Sequence, residues 1–138
     1  MLGNGRMGAI VLGKTSYESI VLNESSLWTG NTNLSGNYDD SATGAGNMGY
    51  YQTFGNLVLS LPSHTNTANY VRELNLSNAI AKVSYQANGV TFTREIFCSN
   101  PDEIMAIQLT SDASTACNGT LRYVDGHGAA SNSQSKMK

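Results

Sequence analysis

Hydrophobic positions along the chain fall in short runs with a period of two, separated by clusters of Gly, Asn, Ser and Asp. This alternation is typical of β-strands with one buried face, and no segment has the 3.6-residue period of an amphipathic helix. For example, Leu57, Leu59 and Leu61 share one face of a run, with Val58 and Ser60 on the other. The pattern predicts strands at residues 7–12, 17–22, 56–61, 70–74, 79–87, 90–98, 103–110 and 119–124.

This succession of strands predicts an all-β fold, specifically an antiparallel β-sandwich. We assign residues 1–124 to the sandwich domain. Residues 31–49 are predicted to be a long polar loop, because they offer little to bury. Residues 125–138 are rich in Gly, Ala and Ser and end in charge, so we expect a flexible tail there.

The strongest local prediction is a β-hairpin at Asn88-Gly89. Both central residues of a type I′ turn need positive φ, and Asn-Gly is the preferred pair. The register set by this turn pairs Tyr85 with Phe92, Val83 with Arg94, and Lys82 with Glu95. An aromatic pair and an opposite-charge pair therefore face each other across the hairpin.

The same register places Arg94 on an otherwise apolar strand face, together with Phe92 and Ile96. A guanidinium on such a face needs a carboxylate or carbonyl partner. Two interpretations stay open, a buried ion pair that fixes the sheet packing and a contact with a ligand.

Composition excludes several classes of function. Charged residues make up 13% of the chain, the net charge is −2, and the eight Lys and Arg are scattered, so we expect no nucleic-acid partner. No apolar run approaches the roughly 18 residues of a membrane span, and no signal peptide is visible in the glycine-rich start. We therefore expect no membrane partner, and the compartment stays unknown.

Few residues are candidates for metal or redox chemistry. His64 and His127 lie far apart in polar loops, and Cys98 and Cys117 are predicted to be an unpaired strand thiol and an unpaired loop thiol, although pairing in an oxidising compartment stays open. With no cluster of Cys and His, we expect no metal site.

The start of the chain contains a glycine pattern with two interpretations. Gly3, Gly5 and Gly8 match the dinucleotide fingerprint G-x-G-x-x-G, which needs a strand before it and a helix after it. Only two residues precede these glycines, and the apolar residues that follow them are typical of a strand. We therefore expect a tight turn before a strand and no cofactor.

Several segments in order resemble one family. They are GNGRMGA at residues 3–9, LNESSLWTG at 22–30, YQTFGNL at 51–57, YVRELNL at 70–76 and GVTFTREIF at 89–97. Their order and spacing are similar to the N-terminal domain of family 95 glycoside hydrolases, the α-L-fucosidase family with some α-L-galactosidases. The resemblance implies a β-supersandwich domain that precedes an (α/α)6-barrel catalytic domain, in which a carboxylic acid and an activated water carry out inverting hydrolysis.

The resemblance also implies what this chain contributes. The catalytic residues of the family lie in the barrel, so we expect no catalytic residue here, and whether the chain is itself an enzyme stays open. The chain has a shorter loop after residue 30 than the family, and we expect it to be a fragment that stops partway through the supersandwich. Family members are often secreted or periplasmic.

The candidate site residues are those that the resemblance places in loops facing the barrel or at the rim of its sugar site: Asn4, Arg6, Asn23, Glu24 and Trp28. Asn23, Glu24 and Trp28 form a polar-aromatic cluster of the kind that handles sugars, but a tight turn between strands explains the same residues.

Two other functions stay open. Trp28 with Tyr38, Tyr50 and Tyr51 would suit a free-standing carbohydrate-binding module for fucosylated glycans, because sugars stack on exposed aromatic rings. A remnant that folds poorly is the third hypothesis, since half of a sandwich would leave strand edges unpaired.

Overall fold

The computed structural model describes residues 1–30, 49–114 and 117–127, together with the backbone of 134–137. The described residues form ten strands and no helix, which confirms the predicted all-β class. The strands are β1 (Leu2–Gly3), β2 (Met7–Val11), β3 (Tyr17–Glu24), β4 (Gly55–Ser60), β5 (Ala68–Asn75), β6 (Ile80–Ala87), β7 (Val90–Ser99), β8 (Ile104–Ser111), β9 (Gly119–Val124) and β10 (Gln134–Met137).

Two antiparallel sheets pack face to face as a sandwich. The first has the order β1-β2-β3-β4-β9-β10, and the second has the order β5-β6-β7-β8. The chain leaves the first sheet after β4, builds the whole second sheet as consecutive hairpins, and returns as β9 beside β4. This return connection stacks the second sheet on the first.

The sequence pattern located β2 to β9, but it missed both edge strands of the first sheet. β1 has only two residues, too few to show alternation. β10 lies within the segment predicted to be a flexible tail, and its residues pair with residues 119–122 of β9. A strand that adds to a sheet edge through its backbone groups needs no hydrophobic pattern, which explains why composition did not indicate it.

The hairpin between β6 and β7 has the predicted turn and register. Asn88 and Gly89 have φ of 52° and 80°, as a type I′ turn requires. The predicted partners are confirmed: Tyr85 lies opposite Phe92, Val83 opposite Arg94, and Lys82 opposite Glu95.

The core lies between the two sheets and is formed by fully buried aliphatic side chains, among them Ile20, Leu59, Val83 and Ile96. Val58, on the opposite face of β4, is also buried at 6% exposure. Its neighbours on the adjacent strands are Ser19 and Arg122. The alternation predicted for β4 is therefore correct, although Val58 on the outer face is buried as well as Leu59 on the inner face.

An ion pair crosses the core. The Arg94 guanidinium on β7 donates through Nη2 to Glu18 Oε2 on β3 and to the Lys14 carbonyl oxygen at 2.8 Å. Glu18 Oε1 accepts hydrogen bonds from the backbone N–H groups of Leu12 and Gly13, each at 3.0 Å. Both charged side chains are at most 1% exposed. Of the two interpretations of Arg94, the buried ion pair is confirmed.

His64 lies in the loop between β4 and β5, as predicted, but its side chain is buried. It is 3% exposed, its ring centroid lies 4.0 Å from that of Phe92, and Nδ1 lies 2.7 Å from the Tyr85 hydroxyl oxygen. The polar composition of the loop does not indicate this burial, because it depends on the contacts of His64 with Tyr85 and Phe92, which are distant in sequence. Burial, with the charge of Arg94 as a second cause, lowers the pKa of His64.

Candidate functional site

Asn4 holds the turn between β1 and β2. Its side-chain Oδ1 accepts hydrogen bonds from the backbone N–H groups of Arg6 at 3.1 Å and Met7 at 2.8 Å. Gly5 occupies the middle of the turn with φ of 96°, a conformation that side chains with a Cβ rarely adopt. Asn4 Nδ2 also donates to the Ser99 carbonyl oxygen at 2.6 Å. The glycine-rich start is therefore a tight turn before a strand, as predicted, and Asn4 also ties this turn to the second sheet.

Arg6 connects three loops at this end of the sandwich. Its Nε donates to Glu24 Oε1 at 3.1 Å, and its Nη1 donates to Glu103 Oε2 at 2.6 Å. The hydrogen bonds to Glu24 and then Glu103 raise the pKa of Arg6. The Arg6 side chain is 55% exposed, so the guanidinium remains accessible while both glutamates hold it. We call the surface of Asn4, Arg6, Glu24, Trp28 and Glu103 the Arg6 end.

Glu24 is hydrogen-bonded on both carboxylate oxygens. Oε2 accepts from the Ser26 backbone N–H at 2.9 Å and from the Ser26 hydroxyl at 2.5 Å, while Oε1 accepts from Arg6. The hydrogen bond from the Ser26 hydroxyl is the main cause that lowers the pKa of Glu24. A general acid at neutral pH needs a raised pKa. These contacts hold the chain in a tight turn directly after β3.

Trp28 and Tyr51 form an exposed aromatic pair beside Glu24. Their ring centroids are 5.5 Å apart at an interplanar angle of 78°, an edge-to-face arrangement. Trp28 Nε1 donates to the Ser25 carbonyl oxygen at 3.0 Å, and the Tyr51 hydroxyl donates to the Glu24 carbonyl oxygen at 3.1 Å. Trp28 is 60% exposed, so this fixed pair presents one indole to its surroundings.

Asn23 does not join these residues, because successive side chains of a strand point to opposite faces. It lies on the outer face of the first sheet, opposite Gly8 on β2. There it lines a groove of about 550 Å³, which we call the outer groove. Its main lining residues are Gly8, Ile10, Asn23, Tyr51, Gln52 and His127.

Sequence patterns did not indicate three residues of this region as site residues. Glu103 belongs to the turn between β7 and β8, 97 positions from Arg6. Gln52 is part of the YQTFGNL segment but has no predicted role, and His127 lies in the segment predicted to be a flexible tail. His127 Nε2 lies 2.7 Å from Gln52 Oε1. No local signal links residues so distant in sequence. Tyr38, the remaining aromatic candidate, lies outside the described residues.

The His, Cys, Asp and Glu side chains of the described ranges are the candidates for metal and redox chemistry. Within residues 1–30, 49–114 and 117–127, no three His, Cys, Asp or Glu side chains come together as a metal site would need. Cys98 and Cys117 are unpaired, half-buried thiols, and burial raises the pKa of each. None of the described residues forms a helix able to cross a membrane.

Comparison with known proteins identifies the family. The family described as "Glycosyl hydrolase family 65, N-terminal domain" matches residues 1–45 and 36–138. Alpha-L-fucosidase 2 of Arabidopsis thaliana is 34% identical over an alignment of 134 residues, and the match covers 78% of this chain and 16% of the plant protein.

Two fungal proteins are also similar. Probable alpha-fucosidase A of Aspergillus niger is 30% identical over an alignment of 141 residues, and the match covers 82% of this chain and 18% of the fungal protein. The Aspergillus oryzae protein with the same name is 26% identical over 140 residues. The chain thus spans less than a fifth of the length of each relative. These matches confirm the resemblance drawn from the motifs. The chain belongs to the family of glycosyl hydrolase family 65 N-terminal domains and represents the N-terminal domain of fucosidase-type glycoside hydrolases.

Proposed function

We propose that this chain is the non-catalytic N-terminal β-domain of an α-L-fucosidase-type glycoside hydrolase and that it packs against a separate (α/α)6 catalytic barrel. The matched segment makes up 16% and 18% of the two relatives with fucosidase names, so most of each relative lies outside it. In such an enzyme the chain supplies scaffold and contact surface, and the barrel supplies the acid and the residues that activate water.

The observation that carries the proposal is the hydrogen bonding of the Glu24 carboxylate. Glu24 is the best candidate acid in the sequence. Inverting hydrolysis needs one protonated carboxyl group and one carboxylate about 6.5–9.5 Å apart, with room for a water between them. The Glu24 carboxylate instead receives three hydrogen bonds from Ser26 and Arg6, and its pKa is lowered. A carboxylate stabilised in this way does not donate a proton at neutral pH.

The Arg6 end is the surface that we assign to the barrel contact. Aromatic side chains and arginine are enriched at protein interfaces. Arg6 binds the Glu24 carboxylate, and the backbone carbonyl of Glu24 accepts from Tyr51 of the exposed Trp28–Tyr51 pair. Their backbone and side-chain hydrogen bonds hold them in place before any contact forms, which lowers the entropy lost on docking.

An assay of the chain alone tests the non-catalytic role. The chain and its Glu24→Gln variant, both verified as folded by circular dichroism, are incubated with 4-nitrophenyl α-L-fucopyranoside. We expect both to release nitrophenol at the enzyme-free rate. Hydrolysis by the chain that the E24Q variant lacks would contradict the proposal, because it would place the acid in this domain.

The second candidate function is a free-standing carbohydrate-binding module. The 60% exposure of Trp28 and its edge-to-face contact with Tyr51 favour it, since exposed, fixed aromatic rings suit stacking on sugars. Titration with 2′-fucosyllactose while tryptophan emission is recorded tests this function. A saturable change that is absent in Trp28→Ala supports the module, and unchanged emission excludes stacking on Trp28.

A further inference from the structure

We infer that the outer groove binds an uncharged pyranose unit of a glycan. The inference rests on the proposed role as a non-catalytic domain of a glycoside hydrolase, but it concerns a different surface from the Arg6 end. The outer groove lies on the exposed face of the first sheet, between β2, β3, residues 51–53 and His127. It holds a sugar and takes no part in bond cleavage.

The shape of the outer groove suits one or two sugar units. Its volume of about 550 Å³ lies within the range of about 300–1,000 Å³ typical of small-molecule sites. Gly8 gives the floor its depth, because a Cβ at that position would lie 3.6 Å from Asn23 Cβ and 3.6 Å from the Leu2 carbonyl oxygen. Ile10 and Val21 form an apolar part of the floor, which matches the C–H faces of a pyranose ring.

The polar groups of the outer groove match hydroxyl groups. The Asn23 side-chain amide makes no hydrogen bond within the described part of the chain. Gln52 is held by His127 at 2.7 Å, while its Nε2 reaches the Tyr50 carbonyl oxygen only at 3.5 Å. Side-chain amides both donate and accept, as sugar hydroxyls do, so each amide can pair with a hydroxyl in either direction.

The charge of the lining selects an uncharged ligand. Among the described residues that line the outer groove, none is Lys, Arg, Asp or Glu. A cation would lose its hydration there without gaining a counter-charge, and an anion would find only the amino group of Met1 and the His127 imidazole, which already contacts Asp125 and Gln52. A neutral polyhydroxylated molecule loses less, because its hydroxyl groups can pair with the side-chain amides of Asn23 and Gln52.

The test is titration of the ¹⁵N-labelled chain with methyl α-L-fucopyranoside and with 2′-fucosyllactose, monitored by amide chemical shifts. We expect saturable shifts at Gly8, Asn23 and Gln52. Gly8→Val, which fills the floor with a β-branched residue suited to a strand, should weaken binding at least tenfold. Asn23→Ala should weaken it about fivefold, as the loss of one hydrogen bond would.

Matched controls separate the outcomes. Gly8→Ala adds one methyl group with ordinary contacts and should fall between the wild type and G8V. Leu76→Ala, at an exposed position that follows β5 and lies outside the lining, should bind as the wild type does. No saturable shift, or binding that G8V does not weaken, overturns the inference. An uncharged apolar dye, Nile red, that binds in the groove and is not displaced by either sugar also overturns it. Hydrolysis of the sugars would instead overturn the proposed non-catalytic function.

Discussion

Glu18 on β3 and Arg94 on β7 meet inside the sandwich and join its two sheets by an ion pair that water does not reach. The carboxylate also receives the backbone N–H groups of Leu12 and Gly13 where the chain leaves β2. The pair therefore fixes both the distance between the sheets and the path of the loop between β2 and β3.

Removing one partner of this pair should destabilise the fold strongly. Glu18→Gln leaves the Arg94 charge buried without a counter-charge, which we expect to lower the free energy of unfolding by about 3–5 kcal/mol. The measurement is urea denaturation followed by circular dichroism. The matched control is Glu95→Gln, which breaks the half-exposed Lys82–Glu95 pair at 3.8 Å and should cost less than about 1 kcal/mol. Equal losses in the two variants would contradict the structural role of the buried pair.

Two glycines with positive φ should differ in their tolerance of a methyl group. Gly89 has φ of 80° and open space where a Cβ would lie, so Gly89→Ala should cost only backbone strain, about 1 kcal/mol. Gly55 has φ of 114°, and a Cβ there would overlap the Val124 carbonyl oxygen. Gly55→Ala should therefore cost about 3 kcal/mol. Urea midpoints of the two variants measure the difference, and a G55A variant as stable as G89A would be the contrary result.

His64 should make stability depend on pH below neutrality. Because burial lowers its pKa in the folded chain, the unfolded chain binds the proton more tightly. This contribution to stability is complete above the ordinary pKa of 6.5 and is lost as pH falls from there towards the lower folded pKa. The urea concentration at the unfolding midpoint should therefore decrease as the pH is lowered from 8 to 5.

Variants of the two histidines identify the group responsible. His64→Phe keeps a ring against Phe92 but has no proton to bind, so its midpoints should be flat between pH 5 and 8. His127→Gln, at an exposed position, should keep the wild-type slope. If the urea midpoint still changes with pH in H64F but no longer does so in H127Q, the pH dependence belongs to His127 instead.

Trp28 should report directly on contact with the Arg6 end. It is the single tryptophan of the chain and is 60% exposed, so iodide should quench its emission in the folded chain about as well as in urea. Strong protection from iodide in the isolated, monomeric chain would show that the indole is covered. In a longer enzyme that contains the catalytic barrel, we expect the same quenching to fall because the barrel contacts this surface.

Local patterns predicted the strands and the hairpin because each depends on neighbours in sequence. Alternation placed β2 to β9, and Asn88-Gly89 alone set the register of β6 and β7. The need of Arg94 for a buried partner was also visible, but Glu18 could not be named because 76 positions separate the two residues. The Arg6–Glu103 pair and the outer groove depend on tertiary packing, so no local pattern indicated them.

Exchange of the corresponding N-terminal segment of Arabidopsis alpha-L-fucosidase 2 for this chain tests most directly whether the chain is a non-catalytic domain completed by a catalytic partner. The measurement is hydrolysis of 4-nitrophenyl α-L-fucopyranoside by the chimera, by the plant protein without the segment, and by this chain alone. We predict hydrolysis by the chimera, a rate at least tenfold lower without the segment, and none by the chain alone. A soluble, folded chimera that does not hydrolyse the fucoside, or hydrolysis by the chain alone, would contradict the proposed function.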